Sequence, residues 1–261
     1  MVRIDFLGAP GVGKSTLYEG MVETRWRNTR EKQWITPKEA QVQVVRRRSV
    51  SSQFFREITY RVSTYLPVIR RFACKRVSAP ISRRLFINNR EEWEPFLTVC
   101  GDTVPTDQIV WHQRMCWLYE KAQEVNFLRE CLHSEVVIWD ESLLHKIITL
   151  GLCISQAYRM LDDMLSKMPL PDAVIHCTAK SEIVFQRMES RISGSDASFV
   201  EVFRGRDEAD RHRNARKGVE LANEAAKIMR LVGVPVVTVD VTIPFSDQCY
   251  RVAQFIDNVI R

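Results

Sequence analysis

Short apolar runs alternate with long amphipathic stretches along this chain. The first run, Val2 to Leu7 around a single Asp5, ends at Gly8 and predicts a strand. A helix is expected from Lys14 through Leu17 and Met21 to about Arg25. Residues 135–140 (EVVIWD), 172–177 (DAVIHC) and 235–240 (PVVTVD) read as further buried parallel strands. Each is short and rich in β-branched residues, and each follows a helical pattern. A weaker strand is expected at residues 33–36, just before Pro37. Strands that alternate with helices predict an α/β three-layer sandwich around a mostly parallel five-stranded sheet.

Residues 37–130 contain no good strand. Their pattern is helical, with breaks at Pro37, Pro67, Pro80, Pro95 and Gly101/Pro105. The longest helix is expected over 107–132, where Ile109, Met115, Cys116, Tyr119, Ala122 and Leu128 recur at mostly helical spacing. This stretch reads as a large helical insertion between the second and third strands. Helices are also expected over 181–191 and 246–260, the last covering the sheet. Between them, the small polar stretch SGSDAS and the Arg-rich start of the next helix predict a lid at about 192–206. No repeat and no Gly/Ser-rich linker divides the chain, so 1–261 reads as one domain.

Gly8-Ala9-Pro10-Gly11-Val12-Gly13-Lys14-Ser15-Thr16 matches G-x-x-x-x-G-K-[ST] in full. Its glycines allow backbone N–H groups to wrap a phosphate, and the helix that follows points its N-terminal dipole at the anion. Lys14 is expected at the β- and γ-phosphates and Ser15 on Mg²⁺, with a further hydroxyl from Thr16. A strand before the loop and a helix after it are the context that the motif requires.

Asp140 lies at the carboxyl end of a predicted parallel strand, the edge where open α/β sheets bind ligands. It could hold Mg²⁺ or take a proton from an attacking hydroxyl, with Glu141 as its neighbour. Alternatively, Asp140 or Ser142 caps the helix that begins at Leu143. Arg187 and Arg191 share one helix face, and Arg204 and Arg206 follow the lid. Such cations suit the charge that develops on a phosphoryl group in transfer. The competing expectation is a solvated face paired with Glu182, Glu189, Asp207 and Glu208.

At 261 residues and 45% hydrophobic content the chain can bury a full core. Lys and Arg exceed Asp and Glu by 38 to 32, for a net charge of +6. The charge is strongly one-sided between Arg46 and Arg90, where basic pairs interleave with aromatic and aliphatic residues. Arg83 and Arg84, with Arg114 and His112 from the long helix, are candidates for binding an acceptor. An anionic membrane surface or a nucleic acid is the other partner class such a segment suits. Trp93, Trp111 and Trp117 gather around the same helix. The seven cysteines are an odd number with no C-x-x-C, which predicts scattered thiols in a reducing cytoplasm rather than a disulfide framework or a zinc site. His133, His145, His176 and His212 share no metal-ligand spacing. No apolar run is long enough to span a membrane, and the N-terminal run leads into the glycine loop without the cleavage region of a secretory signal.

On GAPGVGKST the chain resembles the P-loop NTPases. It is similar in particular to the nucleoside and nucleotide kinases and their small-molecule relatives. The acidic IWDES strand end, the strand DAVIHC leading to EIVFQRMESR, and the last strand PVVTVD carry that narrower likeness. Deoxynucleoside kinases usually have an acidic residue followed by Arg and Ser where this chain has Asp140-Glu141-Ser142. Their Glu-Pro signature has only a distant echo in Thr36-Pro37-Lys38-Glu39. The resemblance implies an ATP- and Mg²⁺-dependent phosphotransferase acting on a nucleoside, nucleotide, sugar or glycan intermediate. A nucleotide-hydrolysing switch and a kinase directed at nucleic acid or tRNA are the alternatives. A guanine-recognition N/T-K-x-D motif is absent.

Overall fold

The computed structural model describes residues 1–23, 34–48, 79–192 and 207–260. Five strands form one sheet: β1 (Val2–Leu7), β2 (Trp34–Ile35), β3 (Val136–Trp139), β4 (Ala173–Thr178) and β5 (Val236–Asp240). Their order is β2-β3-β1-β4-β5, and every pairing is parallel, where the sequence predicted only a mostly parallel sheet. The register sets Asp5 of β1 beside Trp139 of β3 and Leu7 beside His176 of β4. The carboxyl ends of β1 and β3 are therefore neighbours, and Asp140 follows β3 directly.

β1 is buried almost throughout, which explains its apolar run. Asp5 is tolerated there because Arg3, two residues back on the same face, pairs with it at 3.0 Å and 2.5 Å. A buried carboxylate without that partner would be strongly destabilising.

Helix α1 (Lys14–Glu23) follows the glycine loop and buries Lys14, Leu17 and Met21. Its Tyr18 meets Phe6 of β1 edge to face at 5.7 Å. α2 (Pro37–Arg48) begins with Pro at its first position, preceded by a capping box. Thr36 Oγ1 accepts from the Glu39 N–H at 3.2 Å, and the Glu39 carboxylate accepts from the Thr36 N–H at 2.9 Å. Thr36-Pro37-Lys38-Glu39 is thus a helix-start signal.

Residues 79–88 are helical, and α3 (Arg90–Gly101) and α4 (Gln108–Cys131) follow. Asp107 caps α4 by accepting from the N–H groups of Ile109 and Val110, both at 3.1 Å. Of the 37–130 insertion the structure describes residues 37–48 and 79–130, and no strand occurs among them. The expected lid lies outside the described residues, apart from the backbone of Ile192.

α5 (Leu143–Gly151) is buried along its whole length, and α6 (Ala157–Lys167) packs beside it. α7 (Ser181–Ile192), α8 (Glu208–Leu231) and α9 (Phe245–Ile260) complete the described fold. α5 packs against both α4 and α8, and α5 and α8 cover the sheet, while α9 meets α1 and β5. Of the described cysteines, Cys100, Cys153, Cys177 and Cys249 are buried and Cys116 is exposed, all as free thiols. No described helix is long and apolar enough to cross a membrane.

Candidate active site

The glycine loop between β1 and α1 needs its glycines. Gly13 has φ of 115°, and a Cβ there would come within 2.9 Å of Arg187 Nη1. Gly11 has φ of 80°, and its Cβ would stand 2.6 Å from Met188 Cγ. Both angles lie where L side chains are strained, and both sites are covered by α7. Val184, Arg187, Met188 and Arg191 share one face of that helix, at i, i+3, i+4 and i+7. Arg187 donates to the Val12 carbonyl. Of the acidic partners expected for a solvated face (Glu182, Glu189, Asp207 and Glu208), Glu189 is bound by Arg211 at 2.6 Å and 3.0 Å.

Lys14 is buried, and its Nζ donates to the Gly8 and Ala9 carbonyls at 3.1 Å and 3.2 Å. Burial depresses its pKa to about 8, against the opposing field of Asp140. Ser15 lies beside it, with its hydroxyl hydrogen-bonded to the Asp140 carboxylate. Burial raises the Asp140 pKa, while Lys14 and Ser15 oppose the rise. Ser142 settles the question of the cap. Its Oγ accepts from the His145 N–H at 3.1 Å and donates to the Phe6 carbonyl at 2.9 Å. Asp140 is therefore not the N-cap of α5, and its Oδ1 is buried with no hydrogen-bond partner.

A cavity of about 480 Å³ opens from this point. The loop contributes Pro10, Gly11, Lys14 and Ser15, the end of β3 contributes Asp140 and Glu141, and α7 contributes Met188 and Arg191. Two further walls come from α4 (Arg114, Trp117, Glu120, Lys121, Glu124) and from α5 with its end (His145, Lys146, Thr149, Leu152). Ion pairs laid against indole rings stiffen these walls. Lys146 pairs with Glu141 at 2.8 Å and lies 5.4 Å from the Trp117 ring. Arg114 lies over the same ring at 4.5 Å. Lys121 pairs with Glu124 at 2.5 Å and sits 5.1 Å from the Trp139 ring. Burial pushes the Glu141 pKa up, but Lys146 beside it outweighs this and holds the carboxylate below its ordinary value.

The structure thus brings together Pro10, Gly11, Lys14, Ser15, Asp140, Glu141, Arg191 and Arg114 around one space, with Arg187 on the loop. Other candidates lie elsewhere. Thr16 is exposed and outside the cavity, as are Arg83 and Arg84 on the helical stretch 79–88. His112 is exposed and stacks on Trp111 with ring centroids 5.6 Å apart. Neighbouring positions on α4 point to different faces, so His112 and Arg114 cannot share this wall. Trp111 donates to Thr103 Oγ1, and Trp93 is buried and donates to Asn126 Oδ1. The tryptophans that the sequence grouped therefore do separate jobs. Arg204 and Arg206 lie outside the described residues.

Sequence reasoning missed the α5 wall. His145, Lys146 and Thr149 are polar side chains buried within an otherwise apolar helix. That pattern is the signal that could have marked it, since a buried polar group needs an explanation.

Lys14 gives a pH prediction. As pH rises through about 8, ligand-free Lys14 loses the proton that would neutralise a phosphate. Bound phosphate favours the ammonium, so binding above that pH takes up a proton. Titration calorimetry with MgADP should show affinity about tenfold weaker at pH 9 than at pH 7, the factor set by a single ionisation. A flat affinity across that range would mean that Lys14 does not touch the phosphates.

No protein-family model and no curated protein matches the sequence. Among solved structures, the chain is similar to deoxyadenosine kinase from M. mycoides with the products dCMP and a flexible dCDP bound. The match has 14% identity and a TM-score of 0.50, and it covers 98% of this chain and 100% of that one. The same enzyme with dCTP or dATP bound aligns over the same shares of the two chains at 13% and 12% identity, with TM-scores of 0.47 and 0.46. The likeness to the first is one of fold. The loop, the parallel sheet and the whole-chain alignment give this protein the fold of the P-loop nucleoside kinases.

Proposed function

We propose that the protein is an ATP- and Mg²⁺-dependent kinase that phosphorylates a hydroxyl of a small acceptor of the nucleoside class. The observation that carries this reading is the shared cavity. The glycine loop and Asp140 line it together with two polar helix walls. Its volume falls within the range of small-molecule sites, roughly 300–1,000 Å³. A hydrolytic switch needs room only for water beside the phosphates, so a cavity walled by two further polar helices favours transfer to an acceptor. The names of the structural neighbours support the nucleoside class.

Mg²⁺ fits the residues present. The Asp140 Oδ1 is a buried oxygen with no partner, next to the Ser15 hydroxyl. No cluster of three metal-ligating side chains occurs among the described residues, so phosphate oxygens and water would complete the shell. The ion would neutralise charge on the β- and γ-phosphates.

The chain's own residues do the positioning. The loop N–H groups and Lys14 hold the triphosphate, and Arg187 and Arg191 lie on the helix that covers it. The acceptor hydroxyl oxygen forms a bond to the γ-phosphorus as the bond to the β,γ-bridging oxygen breaks. ADP leaves, and the hydroxyl proton departs late, with the phosphorylated product. Rate comes mainly from orientation and charge placement.

The test is transfer of labelled phosphate from ATP to each of the four ribonucleosides and four 2′-deoxynucleosides. Transfer to none of them, with ATP bound, would overturn the reading. For an acceptor that is used, Arg114→Ala should lower kcat/KM by about 10–100-fold, the worth of a charge-assisted hydrogen bond of roughly 1.5–3 kcal/mol. Arg83→Ala and Arg84→Ala should change it less than threefold, as exposed charges do. Equal losses in all three variants would place the acceptor outside this cavity.

A further inference from the structure

Among the polar side chains of the cavity, His145 has the most specific chemistry. It sits in the first turn of α5, is 5% exposed, and lines the space between the phosphate loop and Lys146. Its ring is near enough to the Gly8 backbone to feel it. Its Nδ1 is buried with no hydrogen-bond partner among the described residues. Burial, then the fields of Lys14 and Lys146, and finally that of Arg114, hold the imidazole pKa well below its ordinary value. The ring is therefore neutral, and with its proton on Nε2 it leaves a lone pair on Nδ1.

The charge pattern around that lone pair selects its ligand. Lys14, Lys146 and Arg114 can only donate, and His145 Nδ1 can only accept. A phosphate or carbonyl oxygen would meet the imidazole lone pair. A hydroxyl satisfies both sides, because it donates to Nδ1 while its oxygen accepts from a lysine.

We propose that His145 is an acceptor-binding residue, whose Nδ1 takes the hydrogen bond of the hydroxyl that is to be phosphorylated. The ring lines the same cavity as the loop and Lys14, so a hydroxyl held there stands on the side from which its oxygen can approach the γ-phosphorus. His145 thereby sets orientation. This inference rests on the kinase reading and adds a residue and a ligand group to it.

The experiment compares His145→Leu and His145→Gln with the parent protein. Kinetics use MgATP and whichever of the eight nucleosides the parent phosphorylates, and calorimetry measures MgADP binding. His145→Leu removes the acceptor atom and should lower kcat/KM for the nucleoside by about 10–100-fold, the effect of leaving one buried hydrogen bond unmade. His145→Gln keeps an acceptor oxygen and should recover at least tenfold of that loss. MgADP affinity should stay within twofold in both variants. Unchanged nucleoside kinetics in His145→Leu would overturn the proposal. So would a loss of MgADP affinity as large as the loss in kcat/KM, which would mean that the ring serves only the Gly8 carbonyl. A parent protein that binds MgADP but phosphorylates none of the nucleosides overturns the kinase reading, and this inference with it.

Discussion

Replacing Lys14 with alanine is expected to lower phosphoryl transfer by on the order of 10²–10³-fold, the cost of removing one positioned donor from a developing charge. The fold should survive the change. Lys14 Nζ donates to the Gly8 and Ala9 carbonyls, so alanine removes a donor from two acceptors. Lys14 is already costly to bury, as its pKa of about 8 records. Losing it therefore relieves a desolvation penalty along with the hydrogen bonds. The thermal midpoint should move by a few degrees at most, while the pH dependence of MgADP binding above pH 8 disappears. Turnover equal to the parent's would remove the basis of the kinase reading.

Asp140→Asn should lower turnover by about 10²–10⁴-fold, whether the carboxylate acts on the metal or on the hydroxyl proton. The concentration of Mg²⁺ needed for half-maximal rate should also rise. Stability runs the other way. Burial raises the Asp140 pKa, so the folded protein disfavours its charge, and the group lowers stability once the pH exceeds its unfolded value of about 3.9. Asparagine carries no such penalty, and Ser142 still caps α5. The variant should be at least as thermostable as the parent at neutral pH, in line with the stability cost common at functional sites. A drop in thermal midpoint with unchanged turnover per folded molecule would show instead that Asp140 serves the fold.

Much of the architecture was legible because its signals are local. The β1 run, the glycine loop and the start of α1 are contiguous, and each constrains the backbone of the next. β3, β4 and β5 were readable as short buried runs, and Asp107 marks the start of α4 in sequence and structure alike. The periodicity of residues 181–191 placed Arg187 and Arg191 on one face.

What that face covers could not be read from periodicity. Arg187 meets the Val12 carbonyl across 175 positions of chain, a contact created by the parallel pairing of β1 with β4. The same limit explains Arg83, Arg84 and His112. Charge and proximity in sequence nominated them, but the rotation of each helix about its axis decides which side chain reaches the cavity.

The sequence by itself determined the phosphate loop, the α/β class and the strand-end acid Asp140, because these depend on residue types at fixed short spacing. Tertiary structure alone decided the sheet order that places β3 against β1, and with it the neighbourhood of Asp140 and Ser15. It also decided that Ser142 rather than Asp140 caps α5, since the Phe6 carbonyl that orients Ser142 lies 136 positions away. The α4 and α5 walls, with His145 between Lys14 and Lys146, are likewise products of packing. Residues distant in sequence meet there only after α5 has been buried against β1 and α4 has packed against α5.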